Sequence, residues 1–550
     1  MGSTLRVSAL RHRLLALLPF ALFAAGYAVL FRRWLFTGFD DIFGDEEDGE
    51  ILLALVEHWR RVLSGLAHWS DPIFFYPQRG VLGYSDAYFL YGVVHAPLRL
   101  LGIDTFTAFM VLMSLLAVAG YFGFYTLARR HFAIPPPWAA VGATIFAFAN
   151  MNAVKLVQAQ SYCAMLLPVL CLLVLNAWNA ARPSRAAVLA GAAGLLHALI
   201  FFTAFQTAWF FTLLLILFAV LAPAVLGVAP CMALVRDALG VRRLVPLAYA
   251  AGFTVGIVPF LLLYLPVLQA GYGRGLAEIF SNAPDTRDIL NVTPGNLIWG
   301  DALRALNIVG RPDRPVWEVE LGYTPLVLGA FGLSVLALLH DRERPLARWA
   351  LLLSAGVIVL WLLQLDYFGW RPWTIVWSLV PGAAAVRYVF RSQLVANLFV
   401  SLVVAMGLAR LATKERGGWV NVGVLVVVAF LLIEQINAQW PATLSRRVKL
   451  AWLNAIPAPP AGCKVFYLVP RVPPVDREGW IHQADAMLIA QNRDWPTVNG
   501  YSTWLPKDWN LEEPASEHYP GAVRDWAARN KLEDVCGLDP ANDRWTVGLP

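Results

Sequence analysis

The sequence has few charged residues for its length. Asp, Glu, Lys and Arg make up 15% of its 550 residues, whereas 58% are hydrophobic. This balance excludes a soluble globular protein of this size, because such proteins carry about 25% charged residues. The composition predicts a polytopic membrane protein. The 22 Trp residues fit that class, since indole rings favour the headgroup level.

Several functional motifs are missing as well. The chain has no Walker-type GxxxxGK[ST] run, which argues against ATP coupling, and no evident motif for a nucleotide sugar. No repeat of the solenoid type is present. The pI is about 9.1, but Lys and Arg fall in short clusters between apolar segments, as membrane orientation requires. The basic charge therefore does not indicate nucleic acid as a partner.

Eleven apolar segments are predicted to be membrane-spanning helices. They cover residues 14–31, 105–128, 137–150, 160–180, 186–204, 206–228, 244–268, 321–339, 349–364, 392–411 and 418–434. The first follows Arg6, Arg11 and Arg13, and we interpret it as an anchor that begins in the cytoplasm. A cleaved signal peptide is the competing interpretation, but the many later spans need a first anchor.

Basic residues mark every second junction between these spans, as cytoplasmic loops should. The five sets are Arg129 with Arg130, Arg182 with Arg185, Arg236 with Arg242 and Arg243, Arg342 with Arg344 and Arg348, and Arg410 with Lys414 and Arg416. Because the number of spans is odd, the N-terminus is expected in the cytoplasm and the C-terminus outside it. The predicted location is a bacterial inner or plasma membrane.

The hydropathy divides the chain into a membrane domain, residues 1–435, and a small extracytoplasmic α/β domain, residues 436–550. Three longer external loops are predicted at 35–104, 269–320 and 365–391. Within the first loop, 51–63 and 88–101 have the spacing of amphipathic helices that lie in the membrane interface. Cys463 and Cys536 in the tail could pair if that domain faces an oxidising compartment, but their spacing leaves this open.

Residues 37–50, TGFDDIFGDEEDGE, carry the densest charge in the chain. Seven of the 37 acidic residues lie in this stretch, which contains no basic residue. Carboxylates this close repel one another unless water, a cation or a proton-donating substrate offsets the repulsion. We therefore expect the chemical centre in this part of the first external loop.

The residue types around this loop favour sugar transfer from a lipid phosphate. A carboxylate just above the membrane can act as base for an acceptor hydroxyl, and cationic side chains can stabilise the departing phosphate. Arg387 and Arg391 stand at the start of a span on the same side, with Arg274 and Arg287 as weaker candidates. The carboxylates could instead hold Mg²⁺, Mn²⁺ or Ca²⁺, which prefer oxygen ligands.

Two further residues are candidates for substrate binding, and each has a structural alternative. His58 lies in the first amphipathic helix, where packing or a hydrogen bond at the interface is the alternative to a ligand role. Asp86 follows Ser85 and could cap the second amphipathic helix. Arg387 and Arg391 could also be headgroup anchors, because arginines often end a span in this way.

Several stretches resemble a known superfamily. FGDEEDGEILLALVEHWRRVLSG, WSDPIFFYPQRGVLGYSDAYFLYG and LARR are the more specific ones, and FAFAN, VQAQ, PGAAAVRYVFRSQ and NGYS are shorter pieces further along. Together they resemble the GT-C superfamily of integral-membrane, polyprenyl-phosphate-sugar-dependent glycosyltransferases. The likeness is greatest to bacterial members whose first external loop contains Gly-Asp-x-x-Asp.

This resemblance implies a helical membrane fold with an acidic residue of the first external loop as catalytic base. It assigns that role to Asp45, with Asp48 as second carboxylate and the adjacent Asp40 and Asp41 as alternatives. Asp45 and Asp48 are also the candidate metal ligands. The implied reaction is an inverting transfer of a hexose or pentose from an undecaprenyl- or dolichyl-phosphate carrier. Family members act on glycolipids, proteins and envelope polysaccharides.

Two other functions are weighed against this one. The first is a lipid or sugar transporter or flippase, and the second is a non-enzymatic envelope assembly protein that binds partners through its tail. Transporters often keep ionisable residues near mid-membrane, whereas the predicted spans contain almost none. Polar residues gather outside the spans instead, which favours chemistry on a membrane-held substrate.

Overall fold

A computed structural model describes residues 2–311, 317–367, 369–412, 418–470 and 478–550. Lys414 and Arg416 of the fifth predicted basic set lie outside the described residues, as do the side chains of Arg6, Arg11 and Arg13. The described α-helices are α1 (Gly2–Leu30), α2 (Arg32–Phe36), α3 (Asp48–Leu63), α4 (Phe89–Leu100), α5 (Thr105–His131), α6 (Pro136–Ala147), α7 (Asn150–Lys155), α8 (Leu167–Trp178), α9 (Pro183–Phe201), α10 (Phe205–Leu226), α11 (Val228–Leu239), α12 (Leu244–Gln269), α13 (Leu276–Ser281), α14 (Gly300–Ala305), α15 (Pro325–His340), α16 (Pro345–Gln364), α17 (Trp373–Leu379), α18 (Ser392–Leu411), α19 (Gly418–Ile433), α20 (Arg446–Ala455), α21 (Glu478–Arg493) and α22 (Tyr519–Arg529). The described β-strands are β1 (Asp41–Phe43), β2 (Thr443–Ser445), β3 (Val465–Leu468), β4 (Val535–Asp539) and β5 (Arg544–Val547).

The chain is an integral membrane protein with a helical core. Among the described residues, seven segments are long and apolar enough to cross a bilayer. They are Thr105–His131, Pro136–Trp178, Pro183–Phe201, Phe205–Leu226, Leu244–Gln269, Pro345–Gln364 and Val389–Leu411. Three shorter apolar stretches, Leu15–Leu30, Pro325–His340 and Gly423–Ile433, coincide with other predicted spans. The count of eleven spans and their orientation stay predictions.

The apolar segment from Pro136 to Trp178 is interrupted in its middle. Helices α6 and α8 have 12 residues each and are separated by α7 and a 3₁₀ stretch from Leu156 to Leu166. Gln158 within that stretch has φ −100° and ψ 69°, so the helical hydrogen-bond pattern breaks there. A break of this kind inside apolar helices frees polar groups for a site.

Helix α3 differs from the interfacial helix predicted at 51–63. It begins at Asp48 and is buried from Gly49 to Trp59, packed against α4, α21 and the 3₁₀ stretch. Its charged side is paired inside the protein. Glu57 accepts a hydrogen bond from Arg99 (2.8 Å) on α4. Helix α4 keeps exposed apolar residues, as an interfacial helix would.

A short antiparallel ribbon joins the two ends of the membrane region. Strand β1 precedes the acidic turn and pairs with β2, so that Ile42 lies opposite Leu444. Nearby, the buried Asn150 amide binds the backbone oxygen of Val292 (2.9 Å) and accepts a hydrogen bond from Asn437 (3.0 Å). The segment after α19 is therefore tied to the first loop and to the loop before α15.

The tail forms a three-stranded sheet in the order β3-β4-β5, with β3 parallel to β4 and β5 antiparallel to β4. Cys463 and Cys536 form a disulfide beside this sheet. Helix α21 packs against α3, which brings the tail onto the first loop. The division of the chain at residue 435, with an α/β domain beyond it, stays a prediction.

Candidate functional site

The acidic stretch folds into a tight turn that leads into α3. Asp45 lies in the turn, where its Oδ1 accepts hydrogen bonds from the backbone N–H groups of Glu47 (3.1 Å) and Gly49 (3.0 Å). These donors belong to the start of the helix, where backbone N–H groups lack partners within the helix. The carboxylate also lies next to the positive end of the helix dipole. The turn therefore holds Asp45 in one place.

Two glycines allow this turn to close. Gly44 has a φ of +136°, a conformation that residues with a side chain rarely adopt. A Cβ on Gly49 would lie only 2.6 Å from Cα of Gly44. The Gly-Asp-x-x-Asp-Gly pattern therefore lets two backbone segments touch beside Asp45.

The environment of Asp45 makes its carboxylate more basic. Burial raises the pKa of Asp45, the charge of Asp48 raises it further, and the two backbone hydrogen bonds oppose both effects. A raised pKa strengthens a carboxylate as a proton acceptor.

Asp48, the first residue of α3, connects the acidic turn to an arginine. Its Oδ2 accepts a hydrogen bond from Nε2 of Gln158 (2.7 Å). The oxygen of the same amide accepts a hydrogen bond from Nη2 of Arg391 (2.7 Å). Gln158 can reach both groups because the helix is broken at that residue. The structure thus brings the predicted residues Asp48 and Arg391 into one network.

A buried ion cluster supports the arginine side of this network. Glu318 accepts hydrogen bonds from Lys155 (2.8 Å) and from Nε of Arg391 (2.9 Å). Burial acts to raise the pKa of Glu318, but the charges of Arg391 and Lys155 outweigh it and hold the pKa well below its ordinary value. The carboxylate is thus ionised, as a buried group between two cations should be.

Sequence reasoning missed Lys155, Gln158 and Glu318 as members of a site. The only signal was the short piece VQAQ, which contains Gln158. Lys155 lies in the interval between the predicted spans 137–150 and 160–180, within the apolar segment Pro136–Trp178. Lys155 ends α7, and Arg391 directly precedes α18. Both cations thus stand at helix ends and not in the middle of a helix.

Asp86 lies close to the same arginine. Its Oδ1 accepts a hydrogen bond from the backbone N–H of Phe205 (2.9 Å), so it caps α10 and not α4, as the capping alternative had predicted. Burial raises the pKa of Asp86 to about 6, although that hydrogen bond and the charge of Arg391 oppose the rise. Asp86 and Arg391 line a small cavity of about 10 Å³. That volume suffices for about one water molecule.

The charges of two carboxylates, Asp48 and Asp86, both act on the phenol of Tyr88. Burial raises the pKa of the Tyr88 phenol, and the charges of Asp86 and Asp48 raise it further. Tyr88 itself has a φ of 53°, in the left-handed region. The charge of Arg391 opposes this rise of the pKa, so the charges of Asp48, Asp86 and Arg391 all act on one buried phenol.

Arg274 and Arg387 form a second basic group next to Arg391. Nε of Arg387 lies 3.1 Å from Oε1 of Glu278, and Arg274 pairs with the same carboxylate. The guanidinium groups of Arg387 and Arg391 each lie 4.9 Å from the ring centre of Tyr388. Two of the arginines predicted to bind phosphate thus flank one aromatic ring, and the third shares a carboxylate with Arg387.

The tail contributes aromatic side chains to this region. Burial raises the pKa of Tyr501 to about 12, and the charge of Asp48 adds to the rise while Arg387 opposes it. The Trp504 ring lies 4.8 Å from the guanidinium of Arg274. Tyr501 of the NGYS piece is therefore within reach of the charges of Asp48 and Arg387, and Trp504 contacts Arg274.

Asp40 and Asp41 make contacts that stabilise the ribbon of β1 and β2. Asp40 accepts hydrogen bonds from the backbone N–H of Arg447 (2.7 Å) and the hydroxyl of Ser445 (2.9 Å). Burial acts to raise the pKa of Asp40, but these hydrogen bonds and the Arg447 guanidinium lower it overall. Asp41 pairs with Ser445 in the ribbon. A carboxylate with a lowered pKa is a weaker base.

His58 and Arg287 take part in other contacts. Nε2 of the buried His58 is bound to the backbone oxygen of Trp69 (3.0 Å), and burial lowers the pKa of the imidazole to about 4. Its ring is therefore neutral and engaged within the first loop. Arg287 pairs with Asp285 (3.1 Å) in the loop before α14.

The acidic turn has oxygen atoms that suit a divalent cation. In the part of the chain that the structure describes, Oδ2 of Asp45 and Oδ1 of Asp48 accept no hydrogen bond, and no group of three or more His, Cys, Asp or Glu residues could hold a metal ion. Two carboxylates are the usual protein share of a Mg²⁺ site, where water and substrate phosphate complete the coordination. These residues fit such an ion as partial ligands.

No family model and no curated protein matches the chain. Among solved structures, it is similar to the arabinofuranosyltransferase AftD from Mycobacteria, at 16% identity and a TM-score of 0.45. That alignment covers 84% of this chain but 31% of the AftD chain, so the chain spans about a third of the length of that protein.

The chain is also similar to the oligosaccharyltransferase of Archaeoglobus fulgidus in the apo form, at 11% identity and a TM-score of 0.49, with 94% of this chain and 69% of that chain covered. For archaeal AglB from the same organism, in complex with an inhibitory peptide and a dolichol-phosphate, the identity is 12% and the TM-score 0.44 over 94% and 69% of the two chains. These names belong to glycosyltransferases, the enzyme class that the sequence resemblance predicts.

Proposed function

We propose that this protein is a membrane glycosyltransferase that moves a sugar from a polyprenyl-phosphate carrier to an envelope acceptor on the extracytoplasmic face. The observation that carries the proposal is the network in which Gln158 joins Asp48 to Arg391. In this network a single amide links Asp48, the second carboxylate of the acidic turn, to an arginine that can bind a phosphate. Transfer from a lipid phosphate needs both groups in one site.

Asp45 is the proposed base. Its raised pKa favours proton transfer, and its hydrogen bonds to Glu47 and Gly49 fix its position. The carboxylate removes the proton of the acceptor hydroxyl as that oxygen bonds to the anomeric carbon. The bond from this carbon to the phosphate oxygen breaks, and its electron pair leaves with the lipid phosphate. Attack opposite the leaving group inverts the anomeric centre.

The basic group is proposed to hold the phosphate. Its four cations, Arg274, Arg387, Arg391 and Lys155, face two glutamates, Glu278 and Glu318. Arg391 is held by Glu318 and Gln158, so its orientation is set before substrate binds. Arg387 is 43% exposed and accessible to a donor.

A divalent cation, if this enzyme uses one, would be held by Asp45 and Asp48. Such an ion would neutralise the phosphate of the donor. Sugar transfer measured with EDTA and after readdition of Mg²⁺, Mn²⁺ or Ca²⁺ tests this role. Loss and recovery of activity are expected for a metal-dependent enzyme, and full activity in EDTA would remove the ion from the mechanism.

The extracytoplasmic orientation is supported by the Cys463–Cys536 disulfide, because disulfides persist in oxidising compartments. We propose that the acidic turn and the tail share this side. An impermeant maleimide should label Asp301→Cys but not Arg185→Cys in intact cells that lack Cys231. Labelling of Arg185→Cys alone would reverse the orientation.

The test of the function is an assay in proteoliposomes with a panel of synthetic polyprenyl-phosphate hexoses and pentoses and an envelope glycan extract. Asp45→Asn should lower the transfer rate by about 10²- to 10⁴-fold, the usual share of a positioned base. Glu46→Gln is the matched control, since Glu46 lies in the same turn with an exposed side chain.

Unchanged transfer by both Asp45→Asn and Asp48→Asn would remove the acidic turn from the mechanism. Movement of the lipid-linked sugar across the bilayer without transfer to an acceptor would instead support the flippase alternative.

A further inference from the structure

A second site lies at the other end of the helical region. Helices α10, α15 and α16 enclose an open groove with a volume of about 460 Å³. Its walls are apolar, with Val225 from α10, Val335 from α15, and Leu351 and Ile358 from α16. Ala355 is a small residue of its lining. The groove contains none of the residues of the candidate active site.

The groove runs away from the active site along α16. The C-terminal residue of this helix, Gln364, donates a hydrogen bond to Ser392 (2.6 Å), next to Arg391. The groove follows the opposite part of the helix, from Arg348 to Ile358, a distance of about 15 Å at the α-helical rise. This is about half of the ~30 Å hydrocarbon layer. The groove is therefore about as long as one leaflet is thick, and it lies along the part of α16 away from the active site.

The mouth of the groove is basic. Arg342 and Arg348 line it together with Glu343, which pairs with both arginines. Arg410 on α18 pairs with Asp341 beside them. With Arg344 included, four arginines face two acidic residues at this turn. The excess of two positive charges lies where the apolar walls end, at the level expected for lipid headgroups.

We propose that this groove binds one anionic phospholipid of the leaflet opposite to the active site. An acyl chain lies along Val335 and Ile358, and the phosphate accepts hydrogen bonds from Arg342 and Arg348. Guanidinium groups suit phosphate because they donate two parallel hydrogen bonds. The length of the groove matches an acyl chain in one leaflet. The proposal is independent of the glycosyltransferase reaction.

Native mass spectrometry of the full chain, released from nanodiscs that contain equal phosphatidylglycerol and phosphatidylcholine, tests this site. We expect one retained phosphatidylglycerol per chain. Ala355→Trp fills the groove and should reduce the retained lipid at least tenfold. Val255→Trp is the control, because Val255 is a 69% exposed residue on α12, outside the groove.

The headgroup contact is tested by the double variant Arg342→Gln/Arg348→Gln. It should remove the preference for phosphatidylglycerol over phosphatidylcholine, whereas Arg236→Gln, an exposed arginine of another basic turn, should keep it. Equal retention of both lipids by the unaltered chain, or retention that Ala355→Trp leaves unchanged, would overturn the proposal. Thermal unfolding of each variant in detergent shows whether it is folded.

Discussion

Asp45 differs from the other acidic residues of its turn in the environment of its carboxylate. It is partly buried, accepts two backbone hydrogen bonds and lies close enough to Asp48 for the two charges to repel. Glu46 is exposed, and Asp40 has a lowered pKa in the ribbon. Residue type alone does not distinguish these carboxylates, but burial and hydrogen bonding do.

The pH dependence of sugar transfer should report the protonation of Asp45. Because the base must be deprotonated, the rate is expected to fall as the pH falls through the raised pKa of Asp45. Asp48→Asn removes a negative neighbour that raises this pKa. The acid limb of the kcat profile should therefore move to lower pH in that variant.

Glu46→Gln serves as the control for this pH profile, because Glu46 is not among the groups that raise the pKa of Asp45. Its acid limb should coincide with that of the unaltered enzyme. An acid limb that Asp48→Asn leaves in place would show that Asp45 is not the titrating group.

Glu318 is expected to matter for stability as well as for the site. Its carboxylate lies between the buried Lys155 and Arg391, so Glu318→Gln would remove the negative charge that both cations share. Breaking a buried pair in this way costs about 3–5 kcal/mol. Thermal unfolding in detergent should show a clear decrease in Tm.

The matched control for Glu318→Gln is Asp301→Asn. Asp301 pairs with Arg304 at 3.1 Å, but its side chain is 95% exposed. Exposed pairs contribute about 0–1 kcal/mol, so the Tm should barely change. Equal effects of the two variants would contradict a special role for the buried cluster.

The sequence predicted part of the candidate site at this scale. Asp45, Asp48, Asp86 and Arg391 were singled out, and in the structure Gln158 joins Asp48 to Arg391. Lys155 and Glu318 were not singled out from the sequence, because each is an isolated charge beside an apolar segment and the two are more than 150 residues apart. Pairing over such a distance leaves no local pattern. His58 was singled out for its residue type, but burial and a backbone contact account for it.

At the scale of elements, the apolar runs predicted well where helices form, but they predicted less well what each helix packs against. The spacing in α3 predicted an amphipathic helix. Spacing alone does not show whether the polar face of such a helix contacts water or charged residues of the same protein. Glu57 faces Arg99, so both faces of α3 are buried. The break at Gln158 falls in the interval between the predicted spans 137–150 and 160–180, but nothing in that interval predicts the contacts of Gln158 with Asp48 and Arg391.

The acidic turn is the element whose geometry is most sensitive to substitution. Gly49→Ala would place a Cβ 2.6 Å from Cα of Gly44, so the turn must open and Asp45 must shift. A misplaced base should lower kcat by at least tenfold, while the helical content by circular dichroism stays unchanged. Gly329→Ala, where a Cβ would meet open space, is the control. A Gly49→Ala enzyme with full kcat would show that the close turn is dispensable.

At the scale of the whole molecule, the tail is a structural part of the candidate site. Helix α21 packs on α3, and Phe75 of the first loop donates a backbone hydrogen bond to Asn499 (2.8 Å). Tyr501 then lies near Asp48 and Arg387. The sequence predicted a separate tail from its polar composition, but composition carries no information about which surface the tail contacts.

The disulfide should keep this arrangement stable. It closes a segment with a sequence separation of 73 residues, and loop-closure entropy of that size corresponds to about 4 kcal/mol. The double variant Cys463→Ser/Cys536→Ser should therefore unfold its tail at lower urea concentration, as followed by Trp fluorescence. Cys231→Ser, which changes a free thiol, should leave the midpoint unchanged. Identical midpoints for both variants would contradict a stabilising role for the disulfide.

The ribbon between β1 and β2 also sets an order of events during synthesis. Phe43 pairs with Thr443, so the strand beside the acidic turn has no partner until 400 further residues have left the ribosome. At 5–20 residues per second, this wait lasts roughly 20 to 80 seconds. The nascent chain therefore makes its first helices while the strand beside the acidic turn is unpaired, and the candidate site can assemble only after β2 has been synthesised.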